Sequence, residues 1–258
     1  AYWLFGFLRM GTSGLTAQAH GTGNRTQALH VLYRSLIVAW GVALLLIAAQ
    51  RPIFDAAFNF VTATHEVEQL TATYYRILIW GAPAVLGLYS FAGWFLGMQN
   101  AKAPMVIAIG QNIINIVAST VLVFGFAQGM AGVATGTLLA QYAGLFAAII
   151  IWQKQYGKHQ ASAIKWREVC NVTQFKRFFA INGDIFLRTL CLIAVTTYFT
   201  AAGSAQGNMV LAANTLLMQF FIIFSYIMDG FAYAGESIGG HYYLSLIHIS
   251  EPTRRTPI

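Results

Sequence analysis

Long apolar runs set the frame of this chain. Residues 1–19, 31–50, 72–98, 104–126, 130–153, 175–201 and 209–235 are dominated by aliphatic and aromatic side chains. A helix needs roughly 20 mostly apolar residues to cross a bilayer, and each run comes close to that length or exceeds it. The pattern predicts seven spanning helices. The breaks between them are polar, at 21–25, 51–68, 99–102, 127–129 and 203–208, with one long basic connection at 154–177. Gly and Asn recur in these breaks, and both accept backbone angles that other residues resist.

Composition agrees with that frame. Of 258 residues, 57% are hydrophobic and 9% are charged, against roughly 25% charged in an ordinary soluble domain. So few charges suit a surface covered by lipid. The formal charge of +7 does not point to nucleic acid, because membrane spans separate the basic residues. Lys154, Lys158, Lys165, Arg167, Lys176 and Arg177 lie in the long connection, and alternation places Arg25 and Lys102 on the same side. Arg51 falls on the other side with Asp55, Glu66 and Glu68. Lys and Arg concentrate in cytoplasmic loops, so the connection is expected to face the cytoplasm.

Cys170 and Cys191 lie in a basic linker and an apolar run, which suggests neither a disulfide nor a metal site. The chain begins at Ala1 within an apolar stretch and has no signal-peptide layout. Residues 244–258 read as the translation of a sequencing adapter and are set aside from fold reasoning, with the natural frame expected to break near Tyr243.

Ionisable and amide groups inside spans are the candidates for chemistry, since Lys, Arg or Asp at a helix centre costs about 2.5–3.5 kcal/mol. Arg9 lies about 18 Å from the helix end at Gly21 by helical rise. It is either a gate or substrate-site charge with a partner on another helix, or half of a structural interhelix pair. Pro83 predicts a kink, of the kind that lines transport cavities or that serves packing alone. Gln111, Asn112, Asn115 and Ser119 recur at helical spacing. Such groups coordinate a cation, bind a polar compound or simply join helices. Thr135 and Thr137 on the next helix add hydroxyls. Asp184 and Arg188, four apart with the acid first, favour an intrahelical pair, acting as a switchable proton carrier or as a permanent structural contact. Asp229 and Glu236 share a face seven apart, at a cytoplasmic gate, a solvated end or a coupling site. No His-Glu-x-x-His, paired intramembrane Asp or nucleophile elbow occurs, so no enzyme is expected.

Several segments together carry a family resemblance. Residues 7–19 (Phe-Leu-Arg-Met-Gly-Thr-Ser-Gly-Leu-Thr-Ala-Gln-Ala), 75–83, 97–104, 111–115, 129–141, 182–189 and 229–236 resemble, in order and spacing, helix two and helices four to eight of the multidrug and toxic compound extrusion (MATE) family, in its DinF-like branch. The resemblance implies an all-α polytopic membrane protein carrying about seven of twelve helices in a two-lobe fold. Residues 1–153 would form most of the first lobe without its first helix, and 154–174 a cytoplasmic interlobe linker. Residues 175–243 would open the second lobe. It also implies a secondary antiporter that exports organic, often cationic, drugs or metabolites against a proton or sodium gradient. No other cofactor or metal is implied. The expected partners are a small organic substrate, the bilayer of a bacterial inner membrane and the missing helices, with no nucleic acid. Asn115 and Thr137 match positions of the family's cation site, whereas Ser119 stands where that site has an Asp. Coupling is therefore expected to lean on Asp184 and Arg188. A lipid-linked precursor flippase of the same superfamily, or a non-transporting membrane fragment, are the alternatives.

Overall fold

The computed structural model describes residues 2–60, 65–157, 166–205 and 208–242. Among these residues every regular element is helical. A 3-10 turn, Tyr2–Gly6, leads into α1 (Phe7–Gly21), followed by α2 (Arg25–Ala48), α3 (Gln50–Phe60) and α4 (His65–Leu78). A second 3-10 turn, Ile79–Gly81, joins α4 to α5 (Ala82–Gly97). Then come α6 (Lys102–Thr120), a π-helical turn Val121–Gly125, α7 (Gly129–Tyr156), α8 (Trp166–Val169), α9 (Val172–Ala205) and α10 (Asn208–Tyr242).

Six segments are long and apolar enough to cross a membrane: Arg25–Ala48, Gln69–Gly97, Lys102–Gly125, Gly129–Tyr156, Val172–Thr200 and Ala213–Ala232. The seventh expected span corresponds to α1 with its 3-10 lead. The α-helix itself has only 15 residues, and it is enclosed by α2, α5, α9 and α10. Small residues make that enclosure possible. Gly97 of α5 lies so close to α1 that a Cβ there would stand 2.6 Å from the Ser13 carbonyl oxygen and from Thr16 Cβ. Gly93, one turn earlier, abuts the Arg9 backbone in the same way. Glycines four apart let helix backbones approach closely in a membrane, where dispersion and polar contacts replace the hydrophobic effect as the driving force.

The stretch 51–68, expected as a connection, is largely helical. Its residues contribute all but the first position of α3 and open α4. Apolar positions recur at helical spacing through Ile53, Phe54, Ala57 and Phe58, and Pro52 sits in the first turn, where its missing N–H costs little. The long basic connection contains a short helix, α8. Residues 158–165 and the 244–258 tail lie outside the described residues.

Pro83 breaks the span as expected, and the rearrangement is complete. Pro83 has no N–H to offer the Ile79 carbonyl. The Ala82 N–H bonds Ile79 instead, in 3-10 fashion. That strands the Leu78 carbonyl, which accepts the Tyr2 hydroxyl at 2.8 Å. The Trp80 carbonyl accepts the Tyr142 hydroxyl from α7, also at 2.8 Å.

At one end of the bundle the turns are capped by amides. Asn24 Oδ1 accepts from the Gln27 N–H at 2.9 Å, and Asn100 Oδ1 from the Ala103 N–H at 3.2 Å. Trp94 is fully buried beside them, donating to the Ala28 carbonyl at 2.8 Å with Tyr156 edge-on at 4.8 Å.

Candidate functional site

The sequence candidates on α6 and α7 converge. Asn115 Oδ1 accepts a hydrogen bond from Ser119 Oγ one turn along α6, at 3.0 Å. Thr137 Oγ1 of α7 approaches the same oxygen at 3.4 Å and lies 2.9 Å from the Val133 carbonyl oxygen of its own helix. The helices meet this closely because Gly136 faces Ser119, where a Cβ would stand 2.5 Å from Ser119 Oγ. The π-helical turn Val121–Gly125 follows directly. Such turns frequently mark functional sites within helices. The result is one carbonyl-type oxygen and two hydroxyls around a shared point, all neutral. Hydroxyls rotate, so both can turn lone pairs toward a cation while the amide oxygen keeps its position. Among these three residues no carboxylate balances such a charge.

Asn112 does not join them. It is exposed, and its amide donates to the Ala108 carbonyl of its own helix at 2.9 Å. The shared face expected for Asn112 and Asn115 is split, because three residues rotate a helix short of a full turn.

Arg9 is half-buried in α1. Pro83 is half-buried at the start of α5. Asp184 and Arg188 are both exposed on α9, and no ion pair joins them. The intrahelical pair expected from their spacing is not formed. Asp229 is half-buried on α10. Glu236 continues that helix, with its side chain outside the described residues.

Five polar features escaped sequence reasoning. Thr12 Oγ1 donates to Ser35 Oγ at 2.7 Å, and Ser35 Oγ to Ser90 Oγ at 2.7 Å, forming a buried seam through α1, α2 and α5. Asn182 of α9 is 2% exposed and packs onto Gly11 of α1, its Oδ1 without a partner. Gln141 of α7 buries an unpartnered Oε1 against Gly81, beside the break before Pro83. Arg34 of α2, 6% exposed, donates from Nε to the Val169 carbonyl at 2.8 Å and from Nη2 to the Glu168 carbonyl at 2.7 Å. His30 Nδ1 lies 3.8 Å from Glu168 Oε2. Arg34 was findable, because the insertion cost that singles out Arg9 applies equally to a charge inside the 31–50 run.

Comparison with known proteins adds lineage to this geometry. The MatE family profile matches residues 1–121. DNA damage-inducible protein F of Escherichia coli is 34% identical over 241 residues, 92% of this chain and 51% of that protein. Residues 1–121 thus fall within the MatE family, and the likeness to the Escherichia coli protein runs over nearly the whole chain. Protein DETOXIFICATION 42 of Arabidopsis thaliana, a further relative, is 29% identical over 76% of this chain and 36% of its own length. A multidrug resistance MATE family transporter of the MOP superfamily, solved in an outward-facing conformation, superposes with a TM-score of 0.81 at 21% identity, over 93% of this chain and 53% of that one. Its likeness shows the fold. The chain spans about half the length, or less, of these relatives.

Proposed function

We propose that this chain is the part of a MatE-family secondary transporter that carries its coupling-ion site. Export of small organic, often cationic, compounds would be driven by a proton or sodium gradient. The observation that carries the reading is the meeting of Ser119 and Thr137 on one Asn115 oxygen between α6 and α7. Polar oxygens grouped inside membrane-spanning helices are costly unless a polar partner occupies the space between them. In this reading a cation draws the two hydroxyl lone pairs inward and tightens α6 against α7. The missing negative charge is supplied by an acid on another helix. Asp184, unpaired and on the face of α9 left open in this chain, serves as a proton carrier on the second-lobe side, with Arg188 one turn away. Arg9, in the enclosed α1, gates the path between lobes, and Asp229 with Glu236 lines its cytoplasmic mouth. The protein would sit in a bacterial inner membrane with the 154–177 linker in the cytoplasm.

The test uses the full-length transporter that contains these helices. Asn115→Leu and Asp184→Asn are each expected to lower gradient-driven export of an organic cation by about tenfold or more, equivalent to about 1.4 kcal/mol. Export at the wild-type rate by both variants, at equal expression, would remove these residues from the mechanism.

A further inference from the structure

At the end of the bundle away from α8, a cavity of about 560 Å³ opens where the end of α2 meets α3 and α4. Arg51, Asp55 and Arg76 line it together with Phe54, Tyr75 and Trp80. None of the three charged groups forms an ion pair, with one another or with any other described residue. Two guanidiniums and a carboxylate thus face one space without neutralising each other.

The wall is built rather than accidental. Tyr75 donates its hydroxyl to the Gln50 carbonyl at 3.2 Å, and the Phe54 and Tyr75 rings stack obliquely at 5.6 Å. Trp80, 54% exposed, stands one turn beyond Arg76. Depth follows from helical rise. Arg76 lies about 31 Å from Gly97 along the α4–α5 span, one hydrocarbon thickness, which puts its guanidinium at the level of lipid headgroups. Trp80 falls just inside that boundary, where aromatic rings settle beside acyl chains.

We propose that this cavity holds the headgroup of a zwitterionic phospholipid. Arg51 and Arg76 grip the phosphate oxygens, for which the planar guanidinium fork is well matched. Asp55 takes the ammonium group, and Trp80 lies along the first methylenes of the chains. The carboxylate beside two guanidiniums offers an ammonium a partner that an anionic headgroup cannot use, which accounts for the choice of a dipolar one. The proposal is independent of the transport reading, since it rests on α3, the end of α4 and the 3-10 turn that follows it.

The experiment is native mass spectrometry of the detergent-solubilised 258-residue chain. It is titrated separately with phosphatidylethanolamine, phosphatidylglycerol of matched chains, and inorganic phosphate. Phosphatidylethanolamine is expected to be retained about fivefold better than phosphatidylglycerol. Arg51→Gln and Arg76→Gln are each expected to lower its retention about tenfold, the loss of one charge-assisted contact. Asp55→Asn should erase the preference between the two lipids, and Arg25→Gln, at the opposite end, should change nothing. Circular dichroism checks that each variant keeps its helicity. In the unmutated chain, a photoactivatable phosphatidylethanolamine should cross-link to the peptide holding Tyr75 and Trp80. Equal retention of both lipids, full retention by either Arg variant, cross-links only elsewhere, or Arg-dependent binding of inorganic phosphate with flat lipid titrations would each overturn the lipid assignment.

Discussion

Arg34 shows how one side chain can hold a connection that its sequence leaves open. Its guanidinium reaches two carbonyls at the C-terminal end of α8, where helix carbonyls lack intrahelical donors and the helix dipole is negative. Hydrogen bonds from a charged donor contribute about 1.5–3 kcal/mol each. Arg34→Gln is expected to release α8 from α2 and to raise tryptic cleavage after Arg167 several-fold. Arg34→Lys, which cannot bridge two carbonyls in the same plane, should fall between. Cleavage at the wild-type rate in both variants would mean that the linker is held by other contacts.

The same scale explains why Asn115 was legible and Asn182 was not. Asn115 recurs with Ser119 at helical spacing, so its face could be read from the chain. Asn182 is buried only because Gly11, 171 positions earlier, leaves room for it. No local pattern reports such a pairing.

At the level of elements, the break before Pro83 and the seat of α1 lend themselves to test. Tyr2 satisfies a carbonyl that is stranded only because Pro83 shifts the ladder by one partner. Tyr2→Phe is therefore expected to destabilise the chain by about 1 kcal/mol. In a Pro83→Ala background, where the regular ladder can re-form, the same change should cost almost nothing. A double-mutant cycle on unfolding in detergent measures the coupling. Additive effects would show that the hydroxyl acts independently of the kink. Gly97→Leu places a side chain against Ser13 and Thr16 and forces α1 away from α5. Overpacking of this kind costs roughly 1–3 kcal/mol, and the midpoint of thermal unfolding should fall accordingly. An unchanged midpoint would mean that α1 is not held by that contact.

Across the whole molecule, charge and capping separate the two ends. Arg177 donates to Gln18 Oε1 at 3.2 Å, and Asn100 donates to Gln155 Oε1 at 2.8 Å. The ends of α1, α5 and α7 thereby gather beside α8 and the start of α9, the arrangement that alternation of spans required. Cys170 is exposed at this end. With Cys191 replaced by Ser, a membrane-impermeant maleimide is expected to label Cys170 in inverted vesicles and not in intact cells. The reverse result would invert the topology.

Hydrophobic run length and the placement of Lys and Arg were enough to establish a multi-span helical chain, its breaks and its candidate polar faces, because insertion energy is nearly additive along the chain. Periodicity also put Asn115 and Ser119 on one stripe of α6. Only the tertiary structure decided which of those groups meet. Thr137 reaches Asn115 across a helix pair, while Asp184 and Arg188, well spaced on one helix, stay apart. It also decided that α1 is the enclosed helix and that Arg34 clasps the linker. Contacts between helices depend on rotation and on the clearance left by single glycines such as Gly93, Gly97 and Gly136. A rotation by one residue changes the partner without altering the hydropathy that a sequence displays.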